Sequence, residues 1–351
     1  MSAPPVSALQ GAIQKLAFHV PLSADDAEAA FDMVMKGQAT AVQVAALLAG
    51  LRAAGETPDV VAGVVRALRG AMVSLSADDP DDLVDTCGTG GGAISTFNIS
   101  TAAAIVAAGA GVRIAKHGNR SFTSRCGSAD VLEALGVPIE VPVAVMESAL
   151  REVGLVFMFA PLMHPAMRHV GAVRRELAIP TVMNIVGPLA NPARAGRQVV
   201  GVADLERGPV LAAALAALGT RHALVVHGEP GLDEVSPLGP THVIEVVDGS
   251  TREWKIEPAE HGFRKVGRED LAGSEPAENA RIIREILEGG GPAGARAAII
   301  LNAGAAVYVS GRVRSYSDGV AAATKAIDSG EAKAVLDRLR LAYTKPLVAK
   351  A

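Results

Sequence analysis

Apolar and polar positions alternate along this chain in two different rhythms. Over roughly residues 6 to 74 the apolar positions fall at helical spacing between local start and stop signals. Ser23 with Asp26 and Thr40 with Gln43 read as capping boxes, and Thr57-Pro58 reads as an N-cap followed by a first-turn proline. Gly37 and Gly55 end the first two of these helices. The pattern predicts a small N-terminal helical domain over residues 1–74. The stretch Ser76-Ala77-Asp78-Asp79-Pro80-Asp81-Asp82 is acidic and broken by proline, and reads as a linker. Beyond it, short apolar runs near 83–87, 112–116, 155–160, 199–203, 222–227 and 298–302 alternate with helical patterns. That alternation predicts an α/β fold, with a large domain over 75–351 built on a mostly parallel central sheet flanked by helices. Thr241 to Pro258 instead alternates around Asp248-Gly249, as a hairpin does. There is no internal repeat and no low-complexity tract.

Composition narrows the class of protein. A chain of 351 residues, 50% hydrophobic and 20% charged, can bury a large core. Its formal net charge of −4 argues against a general grip on nucleic acid, which needs a basic surface. Cys87 and Cys126 are too few for a disulfide framework and carry no zinc-ligand spacing, which fits a reducing cytoplasm. Met1 to Ser7 lacks the basic start and apolar core of a signal peptide, and no uncharged window is apolar enough to predict a membrane span.

The chemistry concentrates near one-quarter of the chain's length. Leu83 and Val84 run into Asp85-Thr86-Cys87-Gly88-Thr89-Gly90-Gly91-Gly92, where four glycines in five positions let backbone N–H groups turn toward an anion. An apolar helix over Ala102 to Ala110 follows, capped by Ser100 or Thr101, so that its N-terminus faces the same pocket. A second strand then leads to Lys116-His117-Gly118-Asn119-Arg120. Taken singly, Gly-Thr-Gly-Gly reads as a turn and Asn98-Ile99-Ser100-Thr101 as a cap. Together they make one βαβ-like phosphate cradle at the carboxyl ends of its strands. Neither a Rossmann Gly-x-Gly-x-x-Gly with a distal acid nor a Walker Gly-x-x-x-x-Gly-Lys is present. Further on, Asp233-Glu234 follows a strand ending at His227; alone the pair reads as a solvated turn, but its oxygens also suit Mg²⁺.

With Lys116 to Ser121, Gly127 to Gly136, His164-Pro165-Ala166-Met167, Val173-Arg174, Gly187-Pro188-Leu189-Ala190-Asn191-Pro192 and Gly231-Leu232-Asp233-Glu234 in this order and spacing, the chain resembles the anthranilate phosphoribosyltransferase family over about residues 8 to 345. The resemblance implies transfer of a phosphoribosyl group from phosphoribosyl pyrophosphate to the amine of anthranilate, in tryptophan biosynthesis. It also implies a homodimer formed through the helical domain, and a later helical segment near 164–190 that packs back on the N-terminal helices. The implied donor site comprises Gly88, Thr89, Gly90, Gly91, Gly92, Thr96, Asn98, Ile99, Ser100, Thr101, Lys116, His117, Gly118, Asn119, Arg120, Ser121, Ser124 and Ser128. Mg²⁺ is carried over to Ser100, Asp233 and Glu234.

For the acceptor, a flat aromatic carboxylate, recognition calls for an Arg fork, an amide and apolar walls. The resemblance assigns the carboxylate to Arg174 and a further contact to Asn119, with Gly88, His117, His164, Gly187 and Pro188 along the approach. Each histidine alone reads as a packed or capping residue, and only the match of Val-Arg before Leu-x-Ile-x-Thr selects Arg174 over Arg175. The chain departs from the family at two places. Gly92 stands where an acid is usual, and Pro180 where an Arg commonly precedes the Thr. A nucleoside phosphorylase of the same fold, a nucleic-acid-binding relative and a transferase for another aromatic or heterocyclic acid are the rival expectations.

Overall fold

The computed structural model describes residues 6–92, 94, 96–121, 125–263 and 266–344. Its N-terminal helices begin where capping chemistry places them. Helices α1 (Ala8–Ala17), α2 (Ala24–Met35) and α3 (Ala41–Ala54) each open on a reciprocal capping box, formed by Ser7 with Gln10, Ser23 with Asp26 and Thr40 with Gln43. Helix α4 (Pro58–Ala71) opens on Thr57 with proline in its first turn. Gly55 caps the C-terminus of α3 at φ +93 and Gly37 follows α2 at φ +71, both left-handed conformations that favour glycine. Helix α1, with its own box, comes ahead of the helices that the capping signals predict.

Seven strands form one sheet: β1 (Val84–Gly88), β2 (Ile114–Gly118), β3 (Leu155–Phe159), β4 (Arg197–Gly201), β5 (His222–Gly228), β6 (Thr241–Val247) and β7 (Ser250–Ile256). Their order is β3-β2-β1-β4-β5-β6-β7, with the first five parallel and the last two pairings antiparallel. Val84 sits beside Ile114 on one side and Arg197 on the other. Asp248 (φ +43) and Gly249 (φ +83) form the two-residue turn between β6 and β7, as the Asp-Gly signal requires.

The remaining helices are α5 (Ile99–Gly109), α6 (Ser128–Ala134), α7 (Val143–Glu152), α8 (Ala160–Met163), α9 (Arg168–Leu177), α10 (Met183–Val186), α11 (Gly208–Ala217), α12 (Pro276–Leu287), α13 (Ala293–Val309), α14 (Tyr316–Asp328) and α15 (Glu331–Thr344). Two expectations are corrected here. The run 298–302 is not a strand but the middle of α13, which is buried on nearly every face. A helix with no polar side shows the same unbroken apolar run as a parallel strand, so periodicity cannot separate them. Helix α5 begins at Ile99 rather than near Ala102. Its N-cap is Asn98, left-handed at φ +68 with no side-chain cap bond, so neither Ser100 nor Thr101 caps it.

Alternation along the strands divides the core in two. Val199, Leu224, Val226 and Val243 point into a cluster built with α5, α13, α14 and α15. Val200, Ala223, Val225 and Val246 point the other way, into a cluster continuous with α1 to α4. Helix α11 covers that second face and packs on α4, while α9 packs on α2 and α3. The acidic stretch after α4 is pinned rather than slack. Leu75 N–H donates to the Pro192 carbonyl, Gly196 N–H donates to the Pro80 carbonyl, and Arg197 Nε donates to the Asp81 carbonyl at 3.1 Å.

Candidate active site

Strands β1, β2, β4 and β5 all end in glycine, at Gly88, Gly118, Gly201 and Gly228. The reason is steric. A Cβ at Gly88 would overlap the Asp233 carboxylate, one at Gly201 the Asp233 carbonyl, and one at Gly228 the Glu234 carbonyl. The loop after β5 therefore lies directly across the ends of β5, β4 and β1. Strand order reverses between β1 and β4, and such switch points are where ligands bind in open α/β sheets.

In this crevice the glycine turn and the acid pair meet. Gly90 (φ +70) and Gly91 (φ +80) are left-handed and face open space. The Gly90 N–H donates to Asp233 Oδ2 at 2.8 Å, and the Ser100 N–H, in the first turn of α5, donates to Glu234 Oε1 at 3.0 Å. Burial raises the pKa of both carboxyls, and the Asp233 charge raises that of Glu234 further. Thr89 Oγ1 accepts from the Ala203 N–H, and Thr96 makes an isolated bridge to Ala272. Ile99 is buried beneath the turn, and Thr101 is buried with its hydroxyl unpartnered among the described residues. Among the described residues no group of three or more His, Cys, Asp or Glu is placed to hold a metal. What the chain offers a cation is a carboxylate pair, which matches Mg²⁺, an ion that shares its shell with phosphates and water.

Three expected donor contacts are engaged elsewhere. Lys116 is only 3% exposed; its Nζ donates to the Thr86 carbonyl at 2.5 Å and lies 3.4 Å from Ser100 Oγ. Burial lowers its pKa while the Asp85 charge raises it. The ammonium thus sits beneath the turn, tying β1 to α5. Asn98 uses both ends of its amide, donating to the Cys126 carbonyl and accepting from Asn279 Nδ2, each at 3.0 Å. Arg120 pairs with Asp130 and Glu133 and lies over the Phe159 ring. Asn119 accepts from the Arg120 N–H on Oδ1, and its own N–H donates to Ser128 Oγ. Ser121 N–H donates to Asp130, and Ser124 lies outside the described residues.

On the other side of β2, the rings of His117 and His164 are 4.9 Å apart. Burial holds His117 down to about 3, helped by His164 and Lys116, and holds His164 down to about 4, so both are neutral near pH 7. Both Nε2 atoms are buried and unpartnered among the described residues. On α9, Arg174 is half-buried, Arg175 is exposed, and burial lowers the Arg174 pKa. Arg174 has no ion-pair partner among the described residues. Gly187 and Pro188 belong to a 3-10 turn held from two sides. Arg69 of α4 donates to the Leu189 carbonyl at 2.8 and 3.2 Å, and Gln198 Nε2 donates to the Pro188 carbonyl at 2.5 Å. Asn191 donates to Asp85 Oδ2 at 2.7 Å and to the Ala115 carbonyl, while Asp85 Oδ1 accepts from the His117 N–H.

Sequence reasoning missed the roles of Asp85, Asn191, Arg69, Gln198 and Asn302. Asp85 and Asn191 lie inside recognised blocks, and the window from Thr86 to Val112, which carries no charged side chain, sets Asp85 at the edge of an apolar segment. The other three carry no local signal at all.

A helical bundle set against this sheet, with a glycine turn and an acid pair at its switch point, defines a glycosyl-transfer protein of two parts. The family description "Glycosyl transferase family, helical bundle domain" matches residues 10–72, and "Glycosyl transferase family, a/b domain" matches residues 80–333. The chain belongs to the anthranilate phosphoribosyltransferase family. It is 48% identical over 330 residues to the anthranilate phosphoribosyltransferase of Rubrobacter xylanophilus, covering 94% of this chain and 96% of that one. The crystal structure of the Thermus thermophilus enzyme superposes with a TM-score of 0.90 at 41% identity, covering 95% of this chain and 99% of that one. The Saccharomyces cerevisiae enzyme, solved in complex with phosphoribosyl pyrophosphate and Mg, superposes with a TM-score of 0.86 at 29% identity, covering 96% and 98%.

Proposed function

We propose that the chain transfers the phosphoribosyl group of 5-phosphoribosyl 1-pyrophosphate to the amine of anthranilate, giving N-(5-phosphoribosyl)anthranilate and pyrophosphate, in tryptophan biosynthesis. The single observation that carries this reading is the acid pair Asp233 and Glu234, hydrogen-bonded to the glycine turn and to the start of α5. The bond from ribose C1 to pyrophosphate breaks, a bond from C1 to the amine nitrogen forms, and the amine loses a proton. The N–H groups of Gly91 and Gly92 receive the departing pyrophosphate oxygens, since those of Thr89, Gly90 and Ser100 already donate to the Gly201 carbonyl, Asp233 and Glu234, and the N-terminal end of α5 adds its dipole. Lys116 lends positive charge from beneath the turn without touching them. Ser100, Asp233 and Glu234 hold Mg²⁺, which when bound neutralises charge gathering on the pyrophosphate.

On the acceptor side Arg174 takes the anthranilate carboxylate, and Asn119, Gly187 and Pro188 bound the ring. His117 and His164, neutral near pH 7, supply polar nitrogen atoms without a second cation. A free aromatic amine is already a competent nucleophile, so orientation and leaving-group stabilisation do most of the work. Residues 1–74 with the segment near 164–190 act as the acceptor-side domain, and residues 75–351 as the donor-binding domain. Two chains associate through the helical domain, where Phe18, Val20 and Val42 are exposed apolar side chains. We place the enzyme in the cytoplasm; among the described residues no helix is long and apolar enough to cross a membrane.

The test is loss of anthranilate fluorescence in the presence of phosphoribosyl pyrophosphate and Mg²⁺. Turnover that requires all three components is expected. No turnover at saturating concentrations would refute the assignment.

A further inference from the structure

Asn302 lies midway along α13 and is only 3% exposed. A buried amide in an otherwise apolar helix costs stability unless each of its polar atoms is satisfied. Here they are satisfied largely by one residue of another element. Asn302 Oδ1 accepts from the Val235 N–H at 2.8 Å, and Nδ2 donates to the Val235 carbonyl at 2.8 Å and to the Ala298 carbonyl at 2.9 Å. Gripping both the N–H and the C=O of one residue fixes its peptide planes in position and in rotation.

Val235 directly follows Glu234, so the direction in which the Glu234 carboxylate leaves the backbone is set by this grip. The other end of the same carboxylate is met by the Ser100 N–H of α5, and α5 packs on α13. One helix pair therefore defines where Glu234 starts and where it ends. The loop's own bonds close its base, from the Leu232 N–H to the Gly228 carbonyl and from the Ser236 hydroxyl to the Glu229 carbonyl, and the Ser236 N–H donates to Thr241 Oγ1 at 2.9 Å; the Val235 N–H and carbonyl are the groups Asn302 holds.

We infer that Asn302 is a positioning residue for the metal-holding acids, acting through Val235 on Glu234. The inference rests on the proposed reading of Asp233 and Glu234 as the Mg²⁺ holders. Partners that orient a metal ligand typically contribute tenfold to a hundredfold in metal affinity, so a loss on the order of tenfold to a hundredfold is expected when the grip is removed.

The experiment is calorimetric binding of Mg²⁺ with phosphoribosyl pyrophosphate to four proteins besides the parent. Asn302→Leu removes all three bonds while keeping the same number and branching of side-chain heavy atoms. Asn302→Ser gives up the bonds to Val235 while its hydroxyl can donate to the Ala298 carbonyl four residues back, and serves as the folded variant if the leucine does not fold. Tyr316→Phe removes the bond from the Tyr316 hydroxyl to the Leu301 carbonyl of the same helix, at 3.0 Å, and reports what loss of a buried bond there does by itself. The double variant Asp233→Asn with Glu234→Gln tests the metal reading. We expect the Asn302 variants to weaken binding while the anthranilate KM stays near the parent value, and Tyr316→Phe to lower the melting temperature without weakening binding. Unchanged binding in the Asn302 variants beside weakened binding in the acid double variant overturns the inference and leaves the function standing. Equal weakening by Tyr316→Phe overturns it as well, because the role is then only structural. Unchanged binding in the acid double variant overturns both.

Discussion

At the scale of single residues, the charge at the mouth of the cradle is set by what stands at position 92. A Cβ there would lie 3.2 Å from Asp233 Oδ1 and 3.2 Å from the Gly231 carbonyl. Gly92→Asp thus adds a third carboxylate beside the acid pair and gives a further Mg²⁺ a place to bind. The variant is expected to show inhibition by millimolar Mg²⁺ and tighter apparent donor binding, whereas Gly92→Asn, equally large and neutral, is expected to show no inhibition. Identical activity curves across a Mg²⁺ titration for the parent and Gly92→Asp would make the position irrelevant. A second prediction concerns Arg174, which α9 turns inward while Arg175 faces solvent. A hydrogen bond to a charged group contributes about 1.5–3 kcal/mol, so Arg174→Ala is expected to raise the acceptor KM on the order of tenfold to a hundredfold and the donor KM far less. A large effect from Arg175→Ala in steady-state kinetics would place the fork on the wrong residue. The glycine turn and the acid pair were legible in the sequence because their chemistry is local to a few adjacent positions. The partners of Lys116 and Asn98 were not legible, because a residue type reveals a charge or an amide but not which group across the fold takes it. Asn302 was invisible because its partner lies 67 positions away.

At the scale of elements, the same logic explains which pieces of the fold could be read. Capped helices and the Asp-Gly hairpin declare themselves within four residues, and α2, α3, α4 and the β6–β7 turn stand where those signals fall. Helix α13 does not declare itself, since its stripe of polar residues has been replaced by packing on all sides. The antiparallel extension is held by a feature no periodicity shows. Glu245 of β6 is 1% exposed, accepts from Arg252 Nε at 2.9 Å, Trp254 Nε1 at 2.7 Å and the Tyr308 hydroxyl at 2.9 Å, and faces His222 Nε2 at 2.8 Å. Burial pushes its pKa up, but the His222, Tyr308 and Arg252 bonds outweigh this and hold it at about 2. A carboxyl with a folded pKa below its unfolded value stabilises the fold above the unfolded value, and that stabilisation fades as pH falls toward the folded one. Glu245→Gln is therefore expected to cost about 1.5–3 kcal/mol at pH 7, from lost charge-assisted bonds. In urea unfolding, the gap between parent and variant should shrink as pH drops from about 4.5 toward 2. A gap that stays constant over that window would mean the charge of Glu245 adds nothing.

At the scale of the whole molecule, one chain carries every group assigned to the reaction: the glycine turn, the acid pair, the two histidines and Arg174 all lie on it. The association of two chains proposed above would then rest on surface outside these groups. Phe18, just past α1, and Val42, in the first turn of α3, are each 78% exposed, on two helices that pack together. Apolar side chains this open in the single chain contribute little to its own folding, so polar replacements there should alter stability within about 0.5 kcal/mol. Across a dimer interface the same replacements would bury charge without a partner, which costs several kilocalories per mole and favours separation. Phe18→Asp combined with Val42→Asp is thus expected to sediment as a monomer, to melt near the parent temperature, and to keep the parent KM for anthranilate. A variant that still sediments as a dimer would move the contact to another face, and a monomer that has lost acceptor affinity would mean that the bundle needs its partner to hold α9 and Arg174 in place.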